Sequence, residues 1–596
     1  MPYKSVLNLL KAMKRIAICS AAFTGLTVTG LGQTKVAPAP PAHATSQTPV
    51  HTPSHVTAVT VGDFKVEETR LGPVDAQTGK PVYSPDMRHL AYATISRKHG
   101  DSATFSVAKQ IVVLDGQAGA EYDLINLVSL IFSPDSKRLA YEAQKDGKWF
   151  MVLGGQAGAG YDQIERRIFS PDGSRLAYTA RTGNLWSVVV DGQAGAGWDN
   201  VSSQIFSSDG KHLAYIAKRG GKYLVVVDGK EGSEYDRIDG LRFSFDGTRV
   251  AYEAEKGSKM CVVVDGEPGA EYNSVAGLIF SPDGKRVAYK AKNGYKFKVI
   301  LDGQTGAEYD DIYRLIFSTD SKRIAYEALR RSEQQSSKHL VVVDGQPGSE
   351  FDYITGPDFS PDGKRVAYKA VKGIGSTDTK GLVVVDGQAD AEYDEILGDI
   401  IFSPDSKHVA YRAVRGKQVP DNKVFVVEDG IPGAEYDSIS YGAPILFSPD
   451  STRLTYEAHK DGKSFLVVNG EAGARYDQIS RPIFSSDGKR MAYVAKNVKK
   501  CVAVVDGQVS AEYDLISFPT FSSDGKHVAF WARTGEKWMV IADGRAGAQY
   551  DSLAGLIVSS DAGFEYLAIK ESSLYRVKYN LIRPAAQAPA MQRKPH

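Results

Sequence analysis

Along most of this chain, apolar residues come in short runs separated by polar, glycine-rich stretches, and they nowhere keep helical spacing long enough to support a helix. One unit serves as the type. Its apolar runs, 278–280, 287–289, 297–301 and 309–312, are rich in β-branched and aromatic residues, which is strand chemistry. Ser281, Pro282, Asp283 and Gly284 separate the first two runs: proline presets φ, aspartate bonds the following backbone and glycine accepts positive φ, so a tight hairpin is expected. Asp302, Gly303 and Gly306 separate the last two, again with glycine where a hairpin or bulge turns left-handed.

The unit repeats. Its serine recurs at Ser84, Ser133, Ser170, Ser207, Ser244, Ser281, Ser318, Ser360, Ser403, Ser448, Ser485 and Ser522, with a degenerate copy at Ser559, most often 37 residues apart. Four strands of about five residues with four short connections account for that period, which is one blade of a β-propeller. A blade cannot stand alone. Roughly eight buried apolar side chains at ~2 kcal/mol each do not offset ordering costs of ~1 kcal/mol or more per residue. The expected fold is therefore all-β: tandem β-propellers of four-stranded antiparallel blades, about 13 units of 37–49 residues split six plus seven or seven plus six. Propellers are expected at 61–352 and 353–582, with a boundary anywhere from 310 to 445 compatible with the spacing. The lone strand 64–71 and the final run 574–581 allow a terminal strand to complete a last blade.

The segment from Ile279 to Tyr289 resembles the repeat of TolB-like, WD-repeat-like propellers, and the similarity covers about residues 80–580. No Trp-Asp closes the third strand; Val263, Val264, Asp265 and Gly266 show what stands there instead. TolB-like proteins are periplasmic interaction scaffolds, so the resemblance implies that class without naming a partner.

Composition adds a compartment. Lys4, Lys11, Lys14 and Arg15 precede an apolar stretch, 16–31, and Ala42, His43 and Ala44 offer a cleavage site, so 1–44 reads as a secretory signal peptide of bacterial type. A periplasmic or secreted protein follows, with no stable membrane span after cleavage. Cys19 follows Ile18, which argues against lipid attachment. Removing residues 1–44 removes five of the 72 basic residues and no acid, leaving 67 against 71, or −4, with no basic block to suggest nucleic acid. Residues 45–60 read as a disordered linker and 583–596 as a disordered tail. Cys261 and Cys501 are expected to remain free, since their offsets from Asp265 and Asp506 place them on opposite strand faces.

Unit length varies only between the second and third strands and between one unit and the next. These connections share one end of an antiparallel blade, so that end is the expected binding face. Insertions around 329–339, 370–381 and 413–423 in consecutive units form either a partner site or idle surface loops. The unrepeated residues of that face, Arg166, Arg167, Tyr313, Arg314, Arg330, Arg331, Tyr441, Arg481 and Phe518, are the partner-binding candidates, being of the types that anchor interfaces.

Catalytic, cofactor and metal motifs are not found. The Glu-Tyr-Asp triplet (Glu308, Tyr309 and Asp310, for example) recurs in nearly every unit and reads as scaffold. The Ser-x-Asp-Gly turn also resembles the Asp-box of sialidase-type propellers, without its tryptophan. His89, His212, His408 and His527 occupy a slot held by arginine in other units, where a metal ligand would not exchange; His99, His339 and His459 fall in the expected loops. No Gly-x-Ser-x-Gly elbow occurs. The function expected is a non-catalytic, monomeric scaffold binding a protein or cell-envelope component; the alternative is a propeller enzyme or lectin acting on a glycan, lactone or peptide.

Overall fold

A computed structural model describes residues 56–73, 81–86, 88–95, 109–331, 337–376, 378–416, 423–440, 444–558 and 563–582. The expected leader, most of the linker, the tail and Tyr441 lie outside them. The described residues form thirteen antiparallel sheets and no helix, so none is long and apolar enough to cross a membrane. The four-stranded blade is borne out. In the type unit, Ser274–Phe280, Val287–Asn293, Lys296–Leu301 and Gln304–Tyr309 pair in that order.

Both faces of the second strand are buried, because a neighbouring sheet covers each. Val287, Tyr289 and Ala291 pack toward Ala251 and Val262 of the preceding sheet, whereas Ala288 clusters with Ile312 and Tyr326 of the following one. Alanine at 288 and 291 is fully buried; a larger side chain there would hold the sheets apart. First strands of successive sheets lie against one another, as Ser274–Phe280 does against Asp311–Phe317, so the blades fan outward from their first strands.

Backbone contacts divide the chain into two compact units, Met1–Lys80 with Glu512–His596, and Pro81–Ala511. The boundary expected near 352 lies inside the second, where Val341 packs with Phe351, Ile354 and Val366. Within the first unit the terminal strand does complete a blade: Phe64–Pro73 pairs with Ser573–Leu581, followed by Phe564–Lys570 and Ser552–Val558.

The three repeated motifs each stabilise one connection. Ser281 is fully buried; its hydroxyl donates to Asp283 Oδ1 (2.6 Å) and accepts from the Arg286 N–H (2.9 Å), closing the hairpin. Asp302, at φ 50°, accepts from the Val287 N–H (2.8 Å) and from Arg286 Nε (2.9 Å). Asp310 accepts from Lys296 Nζ (2.6 Å) and the Arg331 N–H (2.7 Å), holding the turn between second and third strands, while Tyr309 stands edge-on to Tyr326.

The slot that alternates between arginine and histidine reaches beyond its own blade. Arg286 also donates to the Lys322 carbonyl of the next sheet (3.1 Å) and lies over the Phe317 ring (5.7 Å), so it joins neighbouring blades.

Candidate functional site

Because the frame recurs so regularly, functional chemistry is sought where a side chain departs from it. The residue after the second-strand tyrosine faces the first strand and varies in charge: Glu142, Glu253, Lys290, Glu327, Arg412 and Glu457 all follow a tyrosine. Glu142, Glu327, Arg412 and Glu457 are buried, which ionisable residues tolerate only with partners. Lys290 Nζ donates to the Ile312 carbonyl (3.0 Å), and Arg412 Nη1 to the Ser440 carbonyl (2.6 Å), both on the next blade.

At Glu327 the partner is an imidazole. His339 Nδ1 lies 2.7 Å from Glu327 Oε1, and both side chains are largely covered. Burial raises the Glu327 carboxyl above its ordinary value, and the hydrogen bond from His339 opposes that shift. His339 stacks on Tyr313 (6.3 Å) and stands edge-on to Tyr353 (5.5 Å). Tyr313 and Tyr353 are 39% and 46% exposed, so the pair of rings opens to solvent over a covered acid–imidazole pair. Burial, then the Asp311 carboxylate, raises the Tyr313 hydroxyl. Lys290 lies 6.0 Å from the Tyr313 ring and Arg314 pairs with Asp358. Aromatic, cationic and anionic groups therefore meet at one place on the sheets spanning 274–359.

The partner-binding candidates fall differently from expectation. The crossover expected to be a loop is instead first strand: one strand ends at Tyr161 and the next, Gln163–Phe169, begins almost at once. Arg166 occupies a bulge there, at φ 50°, with its side chain exposed. Arg167 turns inward: Nη1 donates to Glu142 Oε1 (2.8 Å), while Nε and Nη2 donate to the Ser129 and Val128 carbonyls (both 2.9 Å). That is a clamp between blades. Arg314 occupies the equivalent bulge in Asp311–Phe317. Arg481 and Phe518, both exposed, lie where the first strand breaks into two short pieces.

Arg330 closes the second strand on Glu350 (2.7 Å), and the Arg331 N–H caps on Asp310. Tyr313 and Arg314 thus meet the cluster, with Arg330 and Arg331 at one end of the same sheet, whereas Arg166, Arg167, Arg481 and Phe518 belong to other sheets. Glu327, His339 and Tyr353 were missed. His339 is on the strand Lys338–Val343 and His459 on Leu454–Lys460, not in loops. The signal was available: His339 stands where other units carry Trp149, Trp186, Tyr223 and Phe297.

No protein-family model matches the chain, and no curated protein does. Many solved structures are similar. One titled as the eukaryotic initiation factor has a TM-score of 0.29 at 13% identity, covering 63% of this chain and 96% of that one. The β-propeller domain of the Trilobed protease from Pyrococcus furiosus, described as having an open velcro topology, has a TM-score of 0.23 at 13% identity, covering 52% and 94%. TolB from Acinetobacter baumannii has a TM-score of 0.17 at 14% identity, covering 49% and 78%. The chain's structural neighbours thus include TolB and other β-propellers, and no function passes from them to this protein.

Proposed function

We propose that this protein is an exported, non-catalytic β-propeller scaffold that binds a protein or cell-envelope partner. The observation that carries the reading is the patch around Tyr313 and Tyr353. On the same blade as Tyr353, Ile374 is 57% exposed and its N–H is held by Asp352 (3.1 Å). Exposed apolar surface rimmed by charges marks an interaction site, and tyrosine is a common anchor. The sheets that bear Tyr313 and Tyr353 and the one after them carry the lengthened connections between second and third strands, each flanked by an ion pair: Arg330 with Glu350, Lys372 with Glu392 and Arg415 with Glu435 (2.5–2.8 Å).

The test is capture from an envelope extract by the full chain, compared with Y313A/Y353A/I374S and with a variant whose three connections are shortened to two-residue turns. Partner recovery should drop about tenfold or more in both, the loss of one or two interface anchors. Equal recovery from all three proteins would sink the reading. A second reading, a lectin or enzyme acting on a glycan, lactone or peptide, is favoured by the covered Glu327–His339 pair beneath the Tyr313 ring. It predicts that E327Q and H339Q abolish ligand turnover or retention while leaving partner capture intact.

A further inference from the structure

Four blades carry imidazole in place of the clamping guanidinium. His89, His212, His408 and His527 place Nδ1 2.6–2.7 Å from Asp115, Asp228, Asp429 and Asp543 respectively. Three of these rings are open to solvent, with side chains 42%, 46% and 43% exposed, but His527 is only 14% exposed. The N-terminal hairpin covers it. Buried Phe64 stands edge-on to the His527 ring at 5.1 Å, and Asp63, in the turn between Val56–Val61 and Phe64–Pro73, brings a second carboxylate. One nitrogen of His527 and one oxygen from each of Asp63 and Asp543 lie within 4.8 Å of one another.

In the arginine blades a cation fills the corresponding place, bridging the aspartate and an acceptor on the next sheet, as Arg286 does between Asp302 and the Lys322 carbonyl. At His527 the second acceptor is a full negative charge. We propose that Asp63, His527 and Asp543 bind a first-row divalent transition-metal ion, such as Zn2+ or Co2+, that ties the N-terminal hairpin to the sheet spanning 515–546. One imidazole and two carboxylates are donors such ions accept, with water completing the shell. Phe64 packs edge-on against the ring and limits its rotamers, and Asp543 is held by the Val528 N–H (2.9 Å), so little need be frozen on binding. His89, His212 and His408 stand where other blades carry arginine, which a metal ligand would not exchange with; His527 differs from them in that Asp63 arrives from the far end of the chain. The Arg545 side chain packs along Gly62 in the same turn.

The test uses the full chain, stripped with chelator and titrated with Co2+ at neutral pH. One equivalent should bind with visible ligand-field absorption, Zn2+ should displace it, and the Tm should rise with metal concentration. Asp63 is exposed, so D63N should fold as the wild type does by circular dichroism yet bind at least about tenfold more weakly. H212Q, which lacks a third donor, should bind as wild type. Absence of saturable binding, or equal affinity in D63N, overturns the proposal.

Discussion

Each hairpin depends on one buried serine. Replacing Ser281 with alanine removes the donor to Asp283 and leaves the Arg286 N–H without its acceptor, which should cost about 1–3 kcal/mol, read as a lower urea midpoint. The next position but two is where blades touch. Gly173 has φ 73°, and a Cβ there would lie 2.6 Å from Asp135 Oδ1 of the preceding blade, whereas a Cβ on Gly192, at φ 85°, would meet nothing. G192A should therefore cost about 1–2 kcal/mol from backbone strain, and G173A more. Other blades carry serine at this place: Ser136, at φ 64°, accepts from the Asp86 N–H of the preceding blade (3.0 Å). G173S should accordingly be milder than G173A in thermal melts, although serine is the larger residue. The serine hydroxyls also hold Asp172, Asp209 and Asp405 down to about 2. A depressed carboxyl contributes stability that is present above the ordinary aspartate value near 4 and lost as pH falls through the folded value. The Tm should decline between about pH 4 and pH 2, and a flat profile across that window would contradict the assignment.

A first strand serves two neighbours at once, and its bulge lets one residue reach back into the preceding blade. Arg167 illustrates this. It read as an exposed interface anchor, but it satisfies Glu142, only 5% exposed, and two carbonyls of the preceding sheet. R167A leaves a buried carboxylate without its cation and should cost about 3–5 kcal/mol, whereas replacing both partners with apolar residues of similar size should recover most of that loss; the two midpoints measured together decide it. The length differences between one unit and the next were assigned to loops, but they are absorbed by bulges and breaks inside a strand, as at Leu124–Ile125 and Ile131–Phe132, which both pair with Leu139–Lys145. Alternation cannot separate a bulged strand from a short loop, since both interrupt it. The lengthened second-to-third connections fall between strand ends marked by Arg330, Lys372 and Arg415 and by the lysines that begin each third strand, with residues 332–336, 377 and 417–422 of the expected insertions outside the described residues.

At the scale of the chain, the unit containing both termini depends on strands from opposite ends. Phe64 and Val66 are buried against Tyr579 and Val577, and Arg70 Nη2 donates to Ser573 Oγ (3.0 Å). Removing residues through 73 should expose Ser573–Leu581 as an unpaired edge. Amides there should lose hydrogen-exchange protection, while those of Val287–Asn293, in the other unit, should keep theirs. Unchanged protection at 573–581 would mean the terminal pairing contributes little.

Period, strand order within a blade and the chemistry of its turns could be derived from sequence alone, because every group involved lies within one unit: Ser281 meets Asp283, Arg286 meets Asp302 and Lys296 meets Asp310. Tertiary structure alone decided which charges are buried and by what they are satisfied. Glu142 needs Arg167 from the next sheet, His527 meets Asp63 from the other end of the chain, and Glu327 takes His339 across two strands joined by a lengthened connection. A nearly exact repeat offers every blade the same local instructions, so the pattern is silent about contacts whose partners are chosen by the stacking of sheets and the joining of the chain's ends.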